Sequence, residues 1–329
     1  MINFTRAFDS AWERMQIILF RPFDFGKWCA ICFSAFLAGL LHGGNGFNSS
    51  FNSNNFNNNN NFNKYGGSQP PNFNFNFHQF PSNITQGING IQIGVIVLFV
   101  VLIVAVVFGL ILLMYWLGAR GQFMFLDNIV RNRGAISWPW QYYARQANSL
   151  FLFYLLFMVI SLAIILPILI VAIVMCVPLF MQHRWPGGGE IAGFVVLGIL
   201  YLAIAIGLNL ILFIFREFGI PLMFRNGLLA RPAFWESMSL VRRYPGSIAI
   251  FFLLRIAIFI GVAILSVIIC CATLPCCCVG QWPYVGTVIL LPALIYVKCF
   301  TLDCLAQFGP EYDVWTVDVP PVSPQPPPG

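Results

Sequence analysis

The sequence predicts an all-α fold, a polytopic bundle of transmembrane helices with six spans in three parallel repeats, each an amphipathic helix followed by a transmembrane hairpin. Three observations predict this fold class: an apolar composition, several long apolar segments, and a similarity between successive parts of the chain. Apolar residues make up 59% of the 329 and charged residues only 9%, whereas soluble domains carry roughly 25% charged residues. A chain of this composition needs lipid as its solvent.

The first predicted element is an amphipathic helix near the start of the sequence. Its apolar side chains recur at helical spacing and share one face, while charged side chains occupy the opposite face. The apolar face holds Phe4, Phe8, Ala11, Trp12, Met15, Ile18 and Leu19. We expect this helix to lie in the headgroup region of a bilayer.

Six apolar segments are candidate spans. An α-helix needs about 20 predominantly apolar residues to cross a bilayer. Four segments meet that length, namely 91–117, 150–181, 191–215 and 248–269. Two more, 28–41 and 285–300, are short and would also suit re-entrant segments.

The distribution of basic residues predicts the orientation of these spans. If all six segments cross, thirteen of the 17 Lys and Arg residues lie on one side and only Lys64 and Arg184 on the other. Such an excess marks the cytoplasmic side, so both termini are predicted to be cytoplasmic. The basic residues stand beside apolar segments and form no dense patch, so the net charge of +6 predicts contact with membrane lipid and not with nucleic acid.

An internal repeat relates the second predicted span to the fourth. Residues from 93 onward align without gaps with those from 191 onward, and polar residues and glycines coincide in this register. The matched pairs are Gly109 and Gly207, Gly121 and Gly219, Asn128 and Asn226, Arg133 and Arg231, Ala135 and Ala233, Arg145 and Arg243, and Ser149 and Ser247. The segments at 12–15 and 235–238 share Trp-Glu and Met and suggest a third copy. Parallel repeats differ from the inverted halves of many transporters, which disfavours that class.

Three stretches resemble a known family. They are Arg21-Pro22-Phe23-Asp24-Phe25-Gly26-Lys27-Trp28, Arg120-Gly121-Gln122-Phe123-Met124-Phe125-Leu126-Asp127-Asn128 and Gln307-Phe308-Gly309-Pro310-Glu311-Tyr312. Through them the chain resembles an uncharacterised family of bacterial multi-span membrane proteins, described only as a domain of unknown function. The resemblance implies a multi-pass protein of the bacterial cytoplasmic membrane and carries no activity. In layout alone, the chain is also similar to the membrane domain of some glycerophosphodiester phosphodiesterases, without their catalytic domain.

Composition divides the chain into four parts. Residues 1–42 hold the amphipathic helix and the first span, and 91–315 hold the other five spans with their cytoplasmic helices. Between them, residues 43–90 form an outer loop rich in Asn, Phe, Gly and Ser, which predicts disorder; a capacity to self-associate is the alternative. Residues 316–329 form a Pro-rich tail that is also predicted to be disordered.

Arg255, Lys298 and Asp303 are the candidate residues for a polar or anion-binding site. An ionised side chain inside the bilayer costs several kcal/mol, about 3 on insertion scales, and often marks a polar pathway. Both long cationic side chains could instead reach the cytoplasmic headgroups, or Lys298 could contact Asp303. A site would lie in the cytoplasmic half between the fifth and sixth spans, where Arg255 and Lys298 would bind an anionic headgroup or solute.

Five cysteines cluster at the outer end of the fifth span. They are Cys270, Cys271, Cys276, Cys277 and Cys278. Thiolates bind soft metals such as copper(I) or zinc, but the spacing lacks two matched C-x-x-C pairs. The same residues would serve as small apolar side chains in a bilayer or form disulfides on an oxidising face. We therefore expect no resident metal or cofactor.

The chain carries no recognisable motif of enzyme chemistry. A nucleophile elbow, a phosphate loop and a zinc-protease motif are all missing from the sequence. Asp127, Glu217 and Asp303 follow spans at the inner boundary, a position typical of helix caps and of partners for arginine. The sequence favours a non-enzymatic scaffold or accessory subunit that contacts lipid and a protein partner. The alternatives are a transporter or lipid-handling protein using Arg255 and Lys298, and soft-metal binding by the cysteines.

Overall fold

The computed structural model describes residues 3–40, 90–181, 187–273 and 283–316, and the regular secondary structure within them is helical. The α-helices are α1 (Phe4–Phe20), α2 (Phe25–Leu40), α3 (Gly90–Val130), α4 (Ser137–Tyr142), α5 (Ala144–Met181), α6 (Gly188–Ile214), α7 (Ile220–Asn226), α8 (Ala230–Arg243), α9 (Pro245–Thr273) and α10 (Pro283–Ala306). A π-helical turn, Phe215–Gly219, joins α6 to α7. Two 3₁₀ turns, Pro310–Tyr312 and Val314–Thr316, follow α10.

Five helical stretches in the described part of the chain are long and apolar enough to cross a bilayer. They are Val97–Val130, Ala144–Leu179, Gly188–Asn226, Pro245–Ile268 and Gly286–Ala306. The prediction of an all-helical membrane protein is therefore confirmed at this level. The last segment, predicted from 285–300, is a full-length candidate because its helix continues to Ala306. The first is shorter, since α2 has only 16 residues.

The described residues fall into two compact units. Residues 3–40 and 115–316 belong to the first, and 90–114 belong to the second. The boundary between the units falls inside α3. All contacts described below lie within the first unit.

Helix α10 lies in the core of the first unit. About two thirds of its most apolar stretch is buried, whereas none of the corresponding stretch of α5 or α6 is. Helix α1 packs along α10, where the rings of Phe8 and Phe300 stack with centroids 4.6 Å apart. Ala7 and Ala11 are fully buried in this contact face, because small side chains let the two helices approach closely. The apolar face of α1 thus packs on protein.

The two ends of this helix pair are joined by reciprocal hydrogen bonds. The backbone N–H of Asn3 donates to Oε1 of Gln307 at 2.6 Å, and Nε2 of Gln307 donates to the carbonyl of Asn3 at 3.1 Å. The side chain of Asn3 also accepts a hydrogen bond from the backbone N–H of Arg6, which caps α1. The first helix is therefore fixed to the end of α10.

Helices α2 and α3 make a close contact at Gly121. A Cβ atom at this position would lie 2.5 Å from the backbone nitrogen of Ala38, which no real side chain tolerates. Nearby, Nε2 of Gln122 donates to the carbonyl of Ala38 at 3.1 Å. Glycine here permits direct backbone contact between the helices. This contact holds α2 against the second half of α3.

Candidate functional site

The candidate site is built around Glu217, which lies in the π-helical turn between α6 and α7. Such turns contain one extra residue per turn and often occur at functional positions. A Cβ atom on Gly219 would clash with the ring of Phe215, so glycine suits the crowded turn. Glu217 is buried, with 5% of its surface exposed. A buried carboxylate in a membrane span requires partners.

Three side chains from two other helices contact this carboxylate. Nη2 of Arg255 on α9 donates a hydrogen bond to Oε1 at 2.9 Å. Oγ1 of Thr301 on α10 donates to Oε2 at 3.1 Å, and Nζ of Lys298 lies 3.9 Å from the same oxygen. We call Glu217, Arg255, Lys298 and Thr301 the Glu217 cluster. It links the π-helical turn, α9 and α10 through one carboxylate.

The structure places the three predicted site residues in two different clusters. Arg255 and Lys298 both face Glu217 and retain little exposed surface, 20% and 10% of their side chains. Asp303 lies instead beside Arg14 of α1, with Oδ1 3.2 Å from Nε. Lys298 thus pairs with Glu217, and not with the acid nearest to it in sequence.

Sequence reasoning placed Glu217 among acids at the inner boundary and did not assign it to the candidate site. The signal for the assignment was present, because an apolar environment that holds Arg255 and Lys298 needs an acidic partner at the same depth. Choosing that partner required the packing of α6, α9 and α10. A search for the carboxylate at the matching depth would have found Glu217.

The Asp303 contact forms a second cluster, at the interface of α1, α10 and the final turn. The guanidinium of Arg14 lies 3.8 Å from the ring centroid of Trp315, a cation–π geometry. Nε of Arg14 is also 3.4 Å from Oγ of Ser10. Because 38% of the Arg14 side chain is exposed, this pair lies at the edge of the protein.

A third cluster surrounds Asp127 at the end of α3. Arg133 donates two hydrogen bonds to its Oδ2, at 3.0 and 2.8 Å, and Tyr143 donates to its Oδ1 at 3.3 Å. Nε of Arg131 lies 3.2 Å from Oδ1. Burial, and then the negative charge of Asp127, raises the pKa of Tyr143, so this phenol stays protonated. The cluster ties the loop before α4 to α3.

Trp138 contacts both arginines of the Asp127 cluster. The guanidinium carbon of Arg131 is 4.8 Å from its ring centroid, and that of Arg133 is 4.3 Å away. A cation over an aromatic ring is attracted to its negative face. Trp138 is therefore part of the charge network around Asp127.

The cysteine prediction lies outside what the structure describes. Cys276, Cys277 and Cys278 fall in the segment 274–282, which the structure does not describe. All three histidines also lie outside the described residues, and nothing is described of the side chains of Cys270 and Cys271. Among the described residues, no three His, Cys, Asp or Glu side chains are grouped to hold a metal ion. Metal binding by the cysteines stays a prediction. If it is right, the purified protein retains metal and the Cys276→Ser/Cys277→Ser/Cys278→Ser variant loses it.

Each cluster pairs a buried acid with arginine. Asp127, Glu217 and Asp303 have 0%, 5% and 7% of their surface exposed. Each acid has an arginine nitrogen within 3.2 Å. Carboxylates paired in this way link helices, and such pairs are typical of structural networks.

Comparison with known proteins gives one match. A family described as a family of unknown function (DUF7544) matches residues 2–302. The search of curated proteins and the search of solved structures found no match.

Proposed function

Since this chain belongs to the family of unknown function DUF7544, we propose from its own residues that it is a non-enzymatic scaffold or accessory subunit of the bacterial cytoplasmic membrane. The observation that carries the proposal is the contrast between a charge-paired core and spans that expose apolar side chains. The acids of the three clusters already bind arginine. Leu200 on α6 and Leu253 on α9 are 47% and 68% exposed.

Exposed spans support the proposal because they supply surface for lateral contacts. The most apolar stretches of α5 and α6 have no buried residues, and that of α9 has few. Helices that associate in a bilayer do so through close packing of such surfaces. Lipid covers them in a monomer, and a partner membrane protein covers them in a complex.

The amphipathic helices support contact with anionic lipid. On α8, Ala233 and Leu240 are buried, whereas Trp235 is 59% exposed. Arg231, Arg242 and Arg243 are exposed on the same helix. Tryptophan beside arginine is typical of an interfacial helix on an anionic leaflet. Trp12, matched to Trp235 in the proposed repeat, is 56% exposed on α1.

The topology belongs to the same proposal. Six spans, with α2 as the first, place both termini and thirteen basic residues on the cytoplasmic side. The parallel repeat is supported by Gly121 and Gly219, which occupy matched positions and both lack space for a Cβ atom. Each repeat would present one amphipathic helix to the cytoplasmic leaflet.

Photo-crosslinking in cells tests the scaffold proposal. A photoreactive amino acid replaces Leu200 or Leu253 in the exposed spans, and the matched control replaces Leu222, which is fully buried. We expect irradiation to give a discrete protein adduct from at least one exposed position and none from the control. Adducts with lipid alone at both exposed positions, together with unchanged membrane properties after gene deletion, would contradict the proposal.

A second candidate function is lipid or anion handling, and the Glu217 cluster favours it. Arg255 and Lys298 are two buried cations on one acid, an arrangement that costs free energy unless a further negative charge is near. Reconstitution into liposomes discriminates between the two functions. Flux of an anionic solute or scrambling of a labelled lipid supports this candidate. The absence of both activities across a panel of solutes and lipids would exclude it.

A further inference from the structure

The Glu217 cluster carries more positive than negative charge. Arg255 and Lys298 contact Glu217, and Arg216, its neighbour in the π-helical turn, is close enough for its charge to act on Glu217 and on Lys298. Three cations therefore act on one buried carboxylate. In a low-dielectric environment a surplus of two positive charges is costly unless anions compensate it.

Unsatisfied donors occur at the same place. Nε of Arg216 and Nε of Arg255 are buried and have no hydrogen-bond partner, and the buried hydroxyl of Tyr154 has at most the guanidinium of Arg216 as a partner. Tyr154 is 4% exposed and lies close enough to Arg216 and Glu217 to interact with both charges. Buried donors without partners are rare and require an explanation, such as a bound ion or water. Here all three belong to side chains around one surplus of positive charge.

The Asp127 cluster has fewer cations for its acid. Nε and Nη1 of Arg131 also lack hydrogen bonds there, but Nε lies 3.2 Å from Oδ1 of Asp127, and two arginines share that carboxylate. At the Glu217 cluster, Nη2 of Arg255 and Oγ1 of Thr301 hydrogen-bond to the acid, and Nε of Arg216 and Nε of Arg255 are left without partners.

We propose that Arg216, Arg255, Lys298 and Tyr154 bind a phosphate group, carried either by an anionic lipid headgroup or by free phosphate. Guanidinium groups and hydroxyls match an anion with several acceptor oxygens better than they match a spherical halide. Arg216 and Arg255 keep partial exposure, which gives the anion access from the surface of the bundle. The proposal deepens the second candidate function, because it names the ligand chemistry of that site.

Glu217 acts as an internal competitor in this arrangement. Its carboxylate neutralises one of three cations and keeps Arg255 oriented while the phosphate is absent. Removing the carboxylate charge should therefore strengthen phosphate binding, whereas removing a cation should weaken it. A purely structural network predicts no such opposite effects on a ligand.

The experiment is a thermal-shift titration of the purified full chain in a neutral detergent, with tryptophan fluorescence as the measured signal. The probes are phosphatidylglycerol, phosphatidylcholine and inorganic phosphate. Arg216→Gln is the test variant because it leaves the Glu217–Arg255 hydrogen bond in place. Arg145→Gln, at an exposed arginine on α5, is the matched control for loss of one positive charge.

We expect phosphatidylglycerol to bind, Arg216→Gln to weaken this binding about tenfold, and Arg145→Gln to change it less than twofold. Glu217→Gln should bind several-fold more tightly, provided its melting curve without ligand is cooperative. If Glu217→Gln fails to fold, Thr301→Val replaces it. Thr301→Val removes one hydrogen-bond donor from the Glu217 carboxylate, which then competes more strongly for the cations, so phosphate binding should weaken.

Binding of phosphatidylglycerol alone assigns the site to a lipid headgroup, and binding of inorganic phosphate as well assigns it to phosphate in general. Equal binding of phosphatidylcholine and phosphatidylglycerol, or equal losses in Arg216→Gln and Arg145→Gln, would overturn the proposal and leave water as the partner of the donors. Binding without flux or scrambling would end the lipid-handling function and leave the site intact.

Discussion

Glu217 connects the π-helical turn, α9 and α10, and its contacts allow a test of how much the ion pair with Arg255 stabilises the fold. Arg255 and Glu217 expose 20% and 6% of their side chains, so bulk water screens the pair little. Removing Arg255 takes away the closer ion-pair partner of this buried carboxylate and leaves Lys298, 3.9 Å away. The cost of truncating one partner therefore exceeds the net contribution of the pair.

Arg255→Gln should destabilise the protein by about 3 kcal/mol, and the double variant Arg255→Gln/Glu217→Gln should recover part of that loss. The measurement is reversible unfolding in mixed micelles, completed as a double-mutant cycle. Arg243→Gln provides the exposed control and should change stability by less than about 0.5 kcal/mol. Strictly additive effects of the two substitutions would show that the pair does not couple.

Tyr143 offers a second test at this scale. Its hydroxyl donates to Asp127, and its ring stacks on Phe123 with centroids 5.8 Å apart. Tyr143→Phe keeps the ring and removes the hydrogen bond, so we expect a loss of about 1–2 kcal/mol in the unfolding free energy. Tyr142→Phe, on the exposed neighbour, is the control. Equal stability of the two variants would contradict a role for the hydrogen bond.

Among the helices, α2 is too short to be classed as a span by length alone, yet it is tightly held. Gly121 allows its backbone to touch α3, and Nδ2 of Asn128 donates to Oγ of Ser34 at 3.3 Å. Contacts of this kind let a 16-residue helix stay in place without a full apolar length of its own. The short first segment is therefore fixed by packing more than by its hydrophobicity.

Gly121→Ala tests that contact. The added Cβ atom has no room beside Ala38, so we expect a loss of about 1–3 kcal/mol, seen as a lower melting temperature. Gly207→Ala is the matched control on α6, because a Cβ atom there meets nothing within 4 Å. The control should be neutral or stabilising by up to about 1 kcal/mol, since alanine favours helix. Equal melting temperatures for the two variants would show that α2 does not press on α3.

The packing of α1 against α10 can be tested in the same way. Ala11→Leu places a large side chain in the fully buried face against α10, whereas Glu13→Leu places it on the exposed face. We expect faster hydrogen exchange along α1 in the first variant only, because overpacking displaces the helix. Unchanged exchange in both would mean that α1 is held by its ends, through Asn3 and Gln307.

At the scale of the whole molecule, the three clusters and the core lie in one unit. The clusters connect α1, α3, the π-helical turn, α9 and α10 near the ends predicted to be cytoplasmic. The opposite ends of α5 and α6 carry exposed apolar side chains. Within the first unit, the charge clusters therefore join helices whose apolar surfaces stay exposed.

Reporter fusions test the proposed six-span topology. Alkaline phosphatase, which is active only outside the cytoplasm, should be active when fused after residue 60, 187 or 280 and inactive after 134, 228 or 316. Green fluorescent protein should show the reverse pattern at the same positions. If α2 does not cross, Met1 and the loop after α2 lie on the same side. A tag at the N-terminus would then be protease-accessible from outside, which would contradict the proposal.

Much of this architecture could be predicted from sequence because it depends on local patterns. Apolar length predicts spans, a 3.6-residue period predicts the interfacial helices, and three short stretches indicated the family. The last span was underestimated for a physical reason. Helix α10 carries Lys298, Thr301 and Asp303 because it is surrounded by protein, and a hydropathy criterion measures suitability for lipid.

The sequence by itself determined an all-helical membrane protein with amphipathic helices, two cations within spans and an acid near the end of several spans. Only the tertiary structure decided which acid meets which cation: Glu217 joins Arg255 and Lys298, while Asp303 joins Arg14. Helix formation depends on residues three or four apart, so it can be recognised along the chain. Ion pairs depend on which helices pack together, and Thr301 and Glu217 are 84 residues apart.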